Sequence, residues 1–302
     1  MIAVDLFAGL GGFSEGARLA GVEVAWAANH WRAAVDVHES NHPGTVHHCQ
    51  DLHQADWSRV PAHDVLLASP SCTGHTRARG KERPGHDAAR STAWAVVSCV
   101  EYHRPEFVVV ENVPELRRWV LYPAWRSAMS ALGYALEERV IDAADHGVGQ
   151  NRVRLFVIGH RGFAPVRLTL AATEPVSARS IVDFSAGRWS AVDRPGRAAA
   201  TLRRIARGRQ DHGDRFLVSF YGSTSGGRSL DRPIGTITTR DRWAVIDGDR
   251  MRMLSVPEAT RAMGFRSDYR LPADHKLAMH MLGNAVCPPV VAALLRAVQM
   301  AA

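Results

Sequence analysis

The sequence predicts an α/β fold, in which a doubly wound, mostly parallel sheet carries a small irregular domain as an insertion. Short apolar runs of strand length alternate with helical segments through the first half of the 302 residues, as in sheets that helices cover on both faces. The alternation ends near residue 163, where a segment rich in Arg, Gly, Ser and Asp begins. We therefore predict a first domain at 1–163 plus 266–302 and an inserted domain at 164–265.

The first domain contains six predicted strands. A glycine cluster ends the first strand, and a helix runs from there to Ala20. Ser91–His103 has helical spacing, with Ser91 or Thr92 available as its N-cap. The predicted strands are Ile2–Phe7, Val22–Ala28, Asp64–Ala68, Phe107–Val110, Leu136–Ile141 and Arg154–Ile158.

The second half of the chain contains weaker patterns. Arg215–Tyr221 and Pro233–Thr239 are β-like pieces within the insertion, and a helical pattern returns at Pro257–Gly264. Pro288–Gln299 is apolar at helical spacing, with two prolines in the first turn, where a missing N–H costs little. We expect this last helix to pack on the first sheet.

The chain is basic, with 37 Lys and Arg residues against 30 Asp and Glu residues and a net charge of +7. A basic excess favours a polyanionic partner, although a coding bias towards arginine would give the same composition. No apolar run approaches the roughly 20 residues of a membrane span, and the chain enters a strand without a basic leader. We therefore expect a cytoplasmic protein with no membrane partner.

The four cysteines show no paired spacing, which argues against a disulfide framework or a zinc site. His47 and His48 stand beside Cys49, but no second ligand pair accompanies them. We therefore predict no metal site.

A glycine loop follows the first predicted strand, within Asp5–Gly16. Such a loop lets backbone N–H groups approach a nucleoside cofactor. Its spacing is not the G-x-G-x-x-G dinucleotide pattern, which argues against an oxidoreductase. Taken alone, the loop is equally compatible with a plain strand-to-helix turn.

Further reactive residues follow other predicted strands, at the edge where doubly wound sheets place their active sites. Cys72 is a nucleophile if its thiolate is stabilised, although an isolated free cysteine is more often a buried filler. Glu111 offers a general acid. Arg152 and Arg154 lead into a strand whose alternation would place both guanidinium groups on one face, with a solvated ion pair as the plain alternative.

In their order along the chain, these motifs resemble those of cytosine-C5 DNA methyltransferases of the prokaryotic or phage type. Single motifs occur often by chance, but this many in one order do not. The resemblance implies the Rossmann-like fold of methyltransferases that use S-adenosylmethionine, and it makes the insertion a target-recognition domain. The matching segments are Asp5–Gly16, Asp51–Leu52, Pro70–Cys72, Glu111–Val113, Gln150–Arg154, Arg232–Thr238, Met251–Phe265 and Gly283–Val286.

The resemblance implies methyl transfer from S-adenosylmethionine to C5 of a cytosine that is flipped out of double-stranded DNA. Cys72 would add to C6 as a covalent nucleophile, and Glu111 would hold or protonate N3. Arg154 would steady the base carbonyl, and Arg152 would organise the loop around it. We expect a monomer that methylates a short duplex site, as in restriction-modification systems.

The resemblance also implies two sets of binding residues. Phe7 and Trp31 would stack on the donor adenine, and Asp51 would bind its amino group. The other expected donor-binding residues are Asp5, Ala8, Gly9, Gly11, Gly12, His30, Leu52, Pro70, Asn284 and Val286. The expected DNA-binding residues are Arg77, Arg79, Lys81, Arg83, Thr236, Thr238 and Arg240.

Four positions depart from the pattern of this family. Ser71 and Gly149 stand where the family has prolines, and Thr73 stands where it has a glutamine or asparagine. His30 replaces a ribose-binding glutamate, and a neutral imidazole accepts only one hydrogen bond. These departures leave open a catalytically weak branch that uses a modified donor.

Two further alternatives keep the fold. One is a cytosine-C5 methyltransferase that acts on transfer RNA; the inserted domain and the basic loop favour DNA instead. The other is a catalytically inactive DNA-binding protein, against which the intact set of Cys72, Glu111 and Arg154 argues.

Overall fold

The structure, a computed structural model, describes residues 1–71, 86–162, 164–220 and 226–302, with the backbone alone at 86–90. The chain divides into two compact units. Unit 1 comprises Met1–Asp142, Val153–Ala171 and Ala285–Ala302, and unit 2 comprises Ala143–Arg152 and Ala172–Asn284. Both borders of unit 2 therefore differ from the expected insertion at 164–265, because 143–152 and 266–284 pack with unit 2.

Unit 1 contains a seven-stranded sheet in the order β3-β2-β1-β4-β5-β7-β6. The first five strands in this order are parallel, and β7 runs antiparallel to both of its neighbours. This arrangement confirms the doubly wound, mostly parallel sheet. Its strands are β1 (Ile2–Leu6), β2 (Glu23–Asn29), β3 (Val46–Cys49), β4 (Val65–Ala68), β5 (Phe107–Asn112), β6 (Tyr134–Asp142) and β7 (Val153–Arg161).

The central strands are buried on both faces, as their sequences predict. All four residues of β4 and all six of β5 are buried, because helices cover a parallel sheet on each side. β5 continues through Glu111 and Asn112, which were expected to follow the strand. The two polar side chains therefore belong to a rigid strand end.

Among its described residues, unit 1 contains the α-helices α1 (Gly12–Leu19), α2 (Arg32–Asn41), α3 (His86–His103), α4 (Tyr122–Ala131) and α8 (Pro288–Gln299). The expectation that Ser91 or Thr92 is an N-cap is wrong, because α3 begins five residues before Ser91. The predicted bounds of α8 are confirmed. Helix α8 packs on α1, where a Cβ on Gly16 would lie 2.4 Å from Cβ of Val291.

Unit 2 contains a four-stranded antiparallel sheet in the order β8-β11-β10-β9. Its elements are β8 (Ser190–Ala191), α5 (Ala199–His212), β9 (Arg215–Ser219), β10 (Trp243–Asp247), β11 (Arg250–Met253), α6 (Val256–Met263) and α7 (His275–Asn284). The core of this sheet includes Ile205 of α5 and Phe216 of β9. The expected strand at Arg215–Tyr221 is confirmed to Ser219, and Tyr221 lies outside the described residues.

The expected β-like piece at Pro233–Thr239, which is described throughout, forms no strand. Its one ladder contact is an isolated bridge between Ile234 and Gln150. The bridge is made by the backbone of both residues, since Ile234 N donates to Gly149 O at 2.8 Å and Asn151 N donates to Ile234 O at 2.8 Å. The segment is therefore a loop tied to 149–151.

Within the described residues, the stretch 275–299 has the length and mean hydropathy, 1.6, of a membrane-crossing helix. The structure divides it into α7 and α8, and 67% of the window is buried. A mostly buried helical stretch of this kind is weak evidence for a membrane span.

Candidate active site

The expected donor and catalytic residues of unit 1 converge on one edge of its sheet. The glycine loop follows β1, His30 and Trp31 follow β2, and Asp51 follows β3. Pro70 follows β4 and Glu111 closes β5. Because parallel strands present their carboxyl ends at the same edge, the sheet gathers segments that lie as much as 100 residues apart in sequence.

The turn from β1 into α1 has an unusual backbone. Phe7, Gly9 and Gly11 have φ values of 60°, 57° and 102°. Residues other than glycine rarely adopt positive φ values of this kind. A Cβ on Gly12 would lie 2.3 Å from the carbonyl oxygen of Val286. Non-glycine residues with positive φ are concentrated at functional sites, and the turn therefore has the features of a ligand-binding loop.

Asp5, expected to contact the donor, is completely buried in β1. Its Oδ2 accepts a hydrogen bond of 2.7 Å from the hydroxyl of Ser14 in α1. The bond joins the end of β1, before the glycine loop, to the first turn of α1, after the loop. Asp5 thus supports the loop from beneath.

The residues after β2 and β3 differ in exposure. His30 is exposed, and Trp31 is half-buried as the residue before α2. The side chain of Asp51 accepts from the backbone N–H of His53 at 3.0 Å and so caps a short 3₁₀ turn, while Leu52 is buried. An exposed imidazole and an exposed carboxylate at this edge are accessible to a polar ligand.

Two side chains hold the backbone at the end of the Pro70–Ser71 segment. Nδ2 of Asn112 donates to the carbonyl oxygen of Pro70 at 2.9 Å, in a buried contact. The backbone N–H of Ser71 donates to Oγ1 of Thr92 in α3 at 3.0 Å. The peptide immediately before Cys72 is therefore fixed from two directions.

The expected nucleophile and most of the expected basic loop lie outside the described residues. These positions are Cys72, Thr73, Arg77, Arg79, Lys81 and Arg83.

Glu111 and Arg154 form a largely buried ion pair. Nε of Arg154 lies 3.0 Å from Oε1 of Glu111, and their side chains are 16% and 8% exposed. The antiparallel register opposes Asn112 and Leu155, so the first residues of β7 meet the last residues of β5. A carboxyl group and a guanidinium group therefore stand side by side, next to the strand that leads to Cys72.

Arg152 lies outside β7, so the strand alternation from which a shared face with Arg154 was expected does not reach it. Arg152 precedes β7, is 3% exposed and belongs to unit 2. Its Nη1 donates to the carbonyl oxygen of Ile237 at 3.0 Å, and its Nη2 donates to that of Gly283 at 2.9 Å. Strand alternation fails as a guide here because the chain leaves one unit for the other between the two arginines.

The expected DNA-binding residues of unit 2 lie on the loop that Arg152 holds. Oγ1 of Thr236 donates to the carbonyl oxygen of Asn151 at 2.8 Å, and Oγ1 of Thr238 donates to that of Arg240 at 3.0 Å. The side chain of Arg240 is exposed. Asn284, expected near the donor, is an exposed residue of unit 2 whose Nδ2 lies 3.2 Å from Nε2 of His280.

Sequence reasoning missed four residues that support the predicted site: Ser14, His38, Thr92 and Asn112. All four act through a side chain that bonds a partner distant in sequence, which no local pattern shows. The position of Asn112 in the motif with Glu111 was the one available signal. Among the described residues, no group of three or more His, Cys, Asp or Glu side chains is arranged to hold a metal ion.

Comparison with known proteins gives a consistent result. The model of the family of C-5 cytosine-specific DNA methylases matches residues 1–186 and 188–300. The Type II methyltransferase M.HgiDI of Herpetosiphon aurantiacus is 29% identical over 292 residues, which cover 95% of this chain and 90% of the relative. M.NlaX of Neisseria lactamica, also a Type II methyltransferase, is 25% identical over 305 residues, with 96% and 94% covered.

Solved structures share the fold. A candidate DNA modification methyltransferase encoded within an E. coli prophage superposes with a TM-score of 0.75 at 16% identity, covering 100% of this chain and 99% of that one. The Dnmt2 methyltransferase of S. pombe superposes with a TM-score of 0.68 at 16% identity, covering 98% and 97%. At this identity the likeness concerns the fold alone.

Proposed function

The chain belongs to the C-5 cytosine-specific DNA methylase family, and on this premise we propose that Cys72 is its covalent nucleophile and S-adenosylmethionine its methyl donor. Its activity is that of a DNA cytosine-C5 methyltransferase. The observation that carries the proposal is that Asn112 and Thr92 both hydrogen-bond the Pro70–Ser71 peptide, which precedes Cys72. This peptide follows β4, and the neighbouring strand β5 carries Glu111.

Cytosine needs activation because its C5 is too weakly nucleophilic to accept a methyl group unaided. The Cys72 thiolate adds to C6 and breaks the ring conjugation, and Glu111 hydrogen-bonds or protonates N3 as electrons move towards it. C5 would then take the methyl group from the bound donor as the bond between that group and the donor sulfur breaks, which would leave the demethylated donor as a neutral thioether. Loss of the C5 proton to a base and expulsion of the thiolate restore the ring.

Arg154 suits the carbonyl of the base. A guanidinium group has five N–H donors in a planar fork; here Nε pairs with Glu111, and Nη1 donates to the carbonyl oxygen of Val153 at 2.8 Å. The fork orients Glu111 and directs positive charge to the place where the base oxygen gains negative charge. Arg152, buried in unit 2, acts on the reaction by positioning a loop.

The turn after β1 fits the proposed donor, which supplies an electrophilic methyl group. The left-handed conformation of Phe7, Gly9 and Gly11 supports this proposal, because glycines let backbone N–H groups approach a ligand closely. Phe7 and Trp31 would hold the adenine, and Asp51 its amino group. His30 would take one ribose hydroxyl. Ala8, Gly9, Gly11, Leu52, Pro70 and Val286 complete the donor-binding set that we propose in unit 1.

We propose double-stranded DNA with a short recognition site as the substrate, as for a monomeric restriction-modification methyltransferase acting in the cytoplasm. Unit 2 is the proposed target-recognition unit, with Thr236, Thr238 and Arg240 on its tied loop. Arg77, Arg79, Lys81 and Arg83 are proposed to contact DNA phosphates from the segment after the nucleophile.

Trapping on a fluorinated base tests the nucleophile. Duplex DNA that contains 5-fluorocytosine should form a covalent adduct with the protein when the donor is present, because fluorine cannot leave C5 as a proton does. Cys72→Ser should form none, whereas Cys49→Ser, which changes an exposed cysteine, should trap as the parent does. An adduct with Cys72→Ser would overturn the assignment.

A second assay shows whether the protein methylates DNA or transfer RNA. DNA and total transfer RNA from cells that express the protein should be sequenced after bisulfite treatment. Methylcytosine at a short DNA motif, absent with Cys72→Ser, is the expected result. Methylcytosine in transfer RNA alone would move the activity to the alternative substrate.

A further inference from the structure

A chain of polar side chains lies beneath the glycine loop, within unit 1. Asp5 is 0% exposed, Ser14 is 1% exposed and His38 is 1% exposed. The hydroxyl of Ser14 lies 2.7 Å from Oδ2 of Asp5 and 2.9 Å from Nε2 of His38. Nδ1 of His38 in turn lies 2.7 Å from Nε2 of His47, a half-buried residue of β3. The four side chains join β1, α1, α2 and β3.

The hydrogen-bonding rules fix the direction of this chain. Ser14 has a single hydroxyl proton, and a carboxylate is an acceptor only, so Ser14 donates to Asp5. The Ser14 oxygen therefore accepts from Nε2–H of His38. Burial and the neighbouring His38 lower the pKa of His47, and one hydrogen bond joins Nε2 of His47 to Nδ1 of His38.

Each bond is needed because its members are buried. A buried polar group without a hydrogen-bond partner destabilises the folded state, and Oδ1 of Asp5 already has no partner among the described residues. Loss of His38 would leave Ser14 free to turn its hydroxyl away from Asp5. The other charged and titratable groups that face His47 and His38 are Glu39, His42 and His48.

The row of hydrogen-bonded side chains joins the two ends of the loop that we assign to the donor. Asp5 lies two residues before Phe7, and Ser14 lies two residues after Gly12. The bond between them holds the two ends of the loop together, and between these ends Phe7 has a strained, positive φ of 60°. A loop whose backbone is strained keeps its shape only when its surroundings fix it.

We propose that Ser14 and His38 are positioning residues that hold the glycine loop in its donor-binding shape, with His47 as the outer support. The inference rests on S-adenosylmethionine as the donor. Neither side chain touches the reacting atoms. Their removal should therefore weaken donor binding while the chemical step, measured with donor at saturation, stays near that of the parent.

Four variants of the full chain test the proposal: Ser14→Ala, His38→Leu, His38→Gln and His48→Gln. Gln at 38 keeps an N–H donor near the position of Nε2, whereas Leu removes it. His48→Gln is the matched control, because His48 stacks on Trp26 with ring centroids 5.3 Å apart and lies outside the chain of bonds. Calorimetric titration with S-adenosylmethionine and with S-adenosylhomocysteine gives Kd, and steady-state assays give kcat and KM.

We expect Ser14→Ala and His38→Leu to raise Kd for both ligands by about tenfold, the value of one hydrogen bond. His38→Gln should recover most of this loss, His48→Gln should bind as the parent does, and kcat at saturating donor should change less than about threefold. Equal Kd values for Ser14→Ala and the parent, or a loss that Gln and Leu share equally at 38, would overturn the proposal.

A measurement without donor separates this proposal from the identity of the donor. Amide hydrogen exchange of residues 7–12 should be faster in Ser14→Ala than in the parent, and unchanged in His48→Gln. If the parent bound no S-adenosylmethionine, the proposed donor would be wrong, and the exchange rates would still decide whether Ser14 holds the loop. Should His38→Leu not fold, Ser14→Ala and His38→Gln carry the test.

Discussion

At the scale of the residue, Thr92 shows how a loop before a nucleophile is held. Ser71 has a backbone N–H that needs an acceptor, and Oγ1 of Thr92 supplies it at 3.0 Å from within α3. Thr92 was expected to cap a helix, because capping is the usual role of a threonine at that place in a pattern. Its actual partner lies 21 residues away, and local sequence has no signal for such a bond.

A double-mutant cycle tests this role. Thr92→Val keeps the shape and removes the acceptor, so kcat should fall about fivefold to tenfold, the value of one hydrogen bond. Ser71→Pro removes the N–H itself, and in that background Thr92→Val should cost much less. The measurement is kcat at saturating DNA and donor, together with the rate of adduct formation on 5-fluorocytosine.

Thr92→Ser is the matched control for this cycle, because it keeps the hydroxyl and should retain most of the activity. Equal effects of Thr92→Val in both backgrounds would show that the hydroxyl does not act through Ser71.

At this scale much of the site could be predicted, because the residue types themselves indicate the chemistry. Glu111 and Arg154 were predicted as functional residues, and the structure brings them within 3.0 Å of each other. Their contact itself was not predicted, because it depends on β7 running antiparallel to β5. Sequence shows which strand a residue follows, whereas the direction of the neighbouring strand depends on the whole topology.

At the scale of the element, Gln150 and Arg152 form a clamp on the loop at 234–239. Nε2 of Gln150 donates to the carbonyl oxygen of Ala262 at 3.2 Å, and its Oε1 accepts from the backbone N–H of Ile237 at 3.0 Å. Arg152 joins the same loop to the last turn of α7 through Gly283. Of the two arginines that were predicted as catalytic in this motif, Arg152 holds a loop of unit 2, whereas Arg154 lies beside Glu111.

Gly283→Ala should weaken unit 2. The added Cβ would lie 2.3 Å from the carbonyl carbon of Thr238 and from the backbone nitrogen of Thr239, and overpacking costs about 1–3 kcal/mol. Alanine has a helix propensity that is about 1 kcal/mol more favourable than that of glycine. The measured loss of stability should therefore be smaller than the energy of the clash itself. We expect a lower thermal unfolding midpoint and weaker binding of duplex DNA.

The control for this change is Gly44→Ala, because a Cβ on Gly44 meets nothing within 4 Å. A Gly283→Ala protein as stable as the Gly44→Ala protein would mean that the loop at 238–239 moves aside without cost, and that the clamp does not fix it.

The elements that sequence missed share a physical cause. β3 is an edge strand with two histidines and no buried residue, so it lacks the apolar run that marks a central strand. The sequence of α5 did not indicate a helix, because it contains several arginines and Gly208. Gly208 leaves room for the ring of Phe216, since a Cβ there would lie 2.2 Å from that ring. In both cases the packing that decides the structure comes from another element.

At the scale of the whole molecule, the net positive charge of the protein lies in unit 2. Unit 2 has 20 Lys and Arg residues and 13 Asp and Glu residues, a net charge of +7, whereas unit 1 has 17 of each and a net charge of zero. The +7 of the chain is therefore the +7 of unit 2. A coding bias towards arginine would raise the charge of both units, so this division favours a polyanionic partner of unit 2.

Charge reversal on unit 2 should weaken binding of duplex DNA. Arg194 and Arg203 are exposed, and Arg194→Glu with Arg203→Glu should raise Kd by more than about tenfold at low salt. The slope of log Kd against log salt should become shallower by about 1–2, since each lost phosphate contact removes about 0.9. Fluorescence anisotropy with a labelled duplex across a salt series measures both quantities.

A matched pair on unit 1 serves as the reference. Arg59→Glu with Arg167→Glu changes the same number of charges at exposed positions and should alter Kd and the slope far less. If both pairs had the same effect, the attraction would depend on total charge and not on unit 2.

The packing of Gly12 against Val286 has a consequence for the order of events during synthesis. Every residue of unit 2 leaves the ribosome before Ala285, whereas unit 1 lacks its last segment until the chain passes that point. A nascent chain can therefore finish unit 2 while the turn after β1 still has no neighbour on that side. The turn after β1 is translated before unit 2, and its packing against Val286 is completed after unit 2.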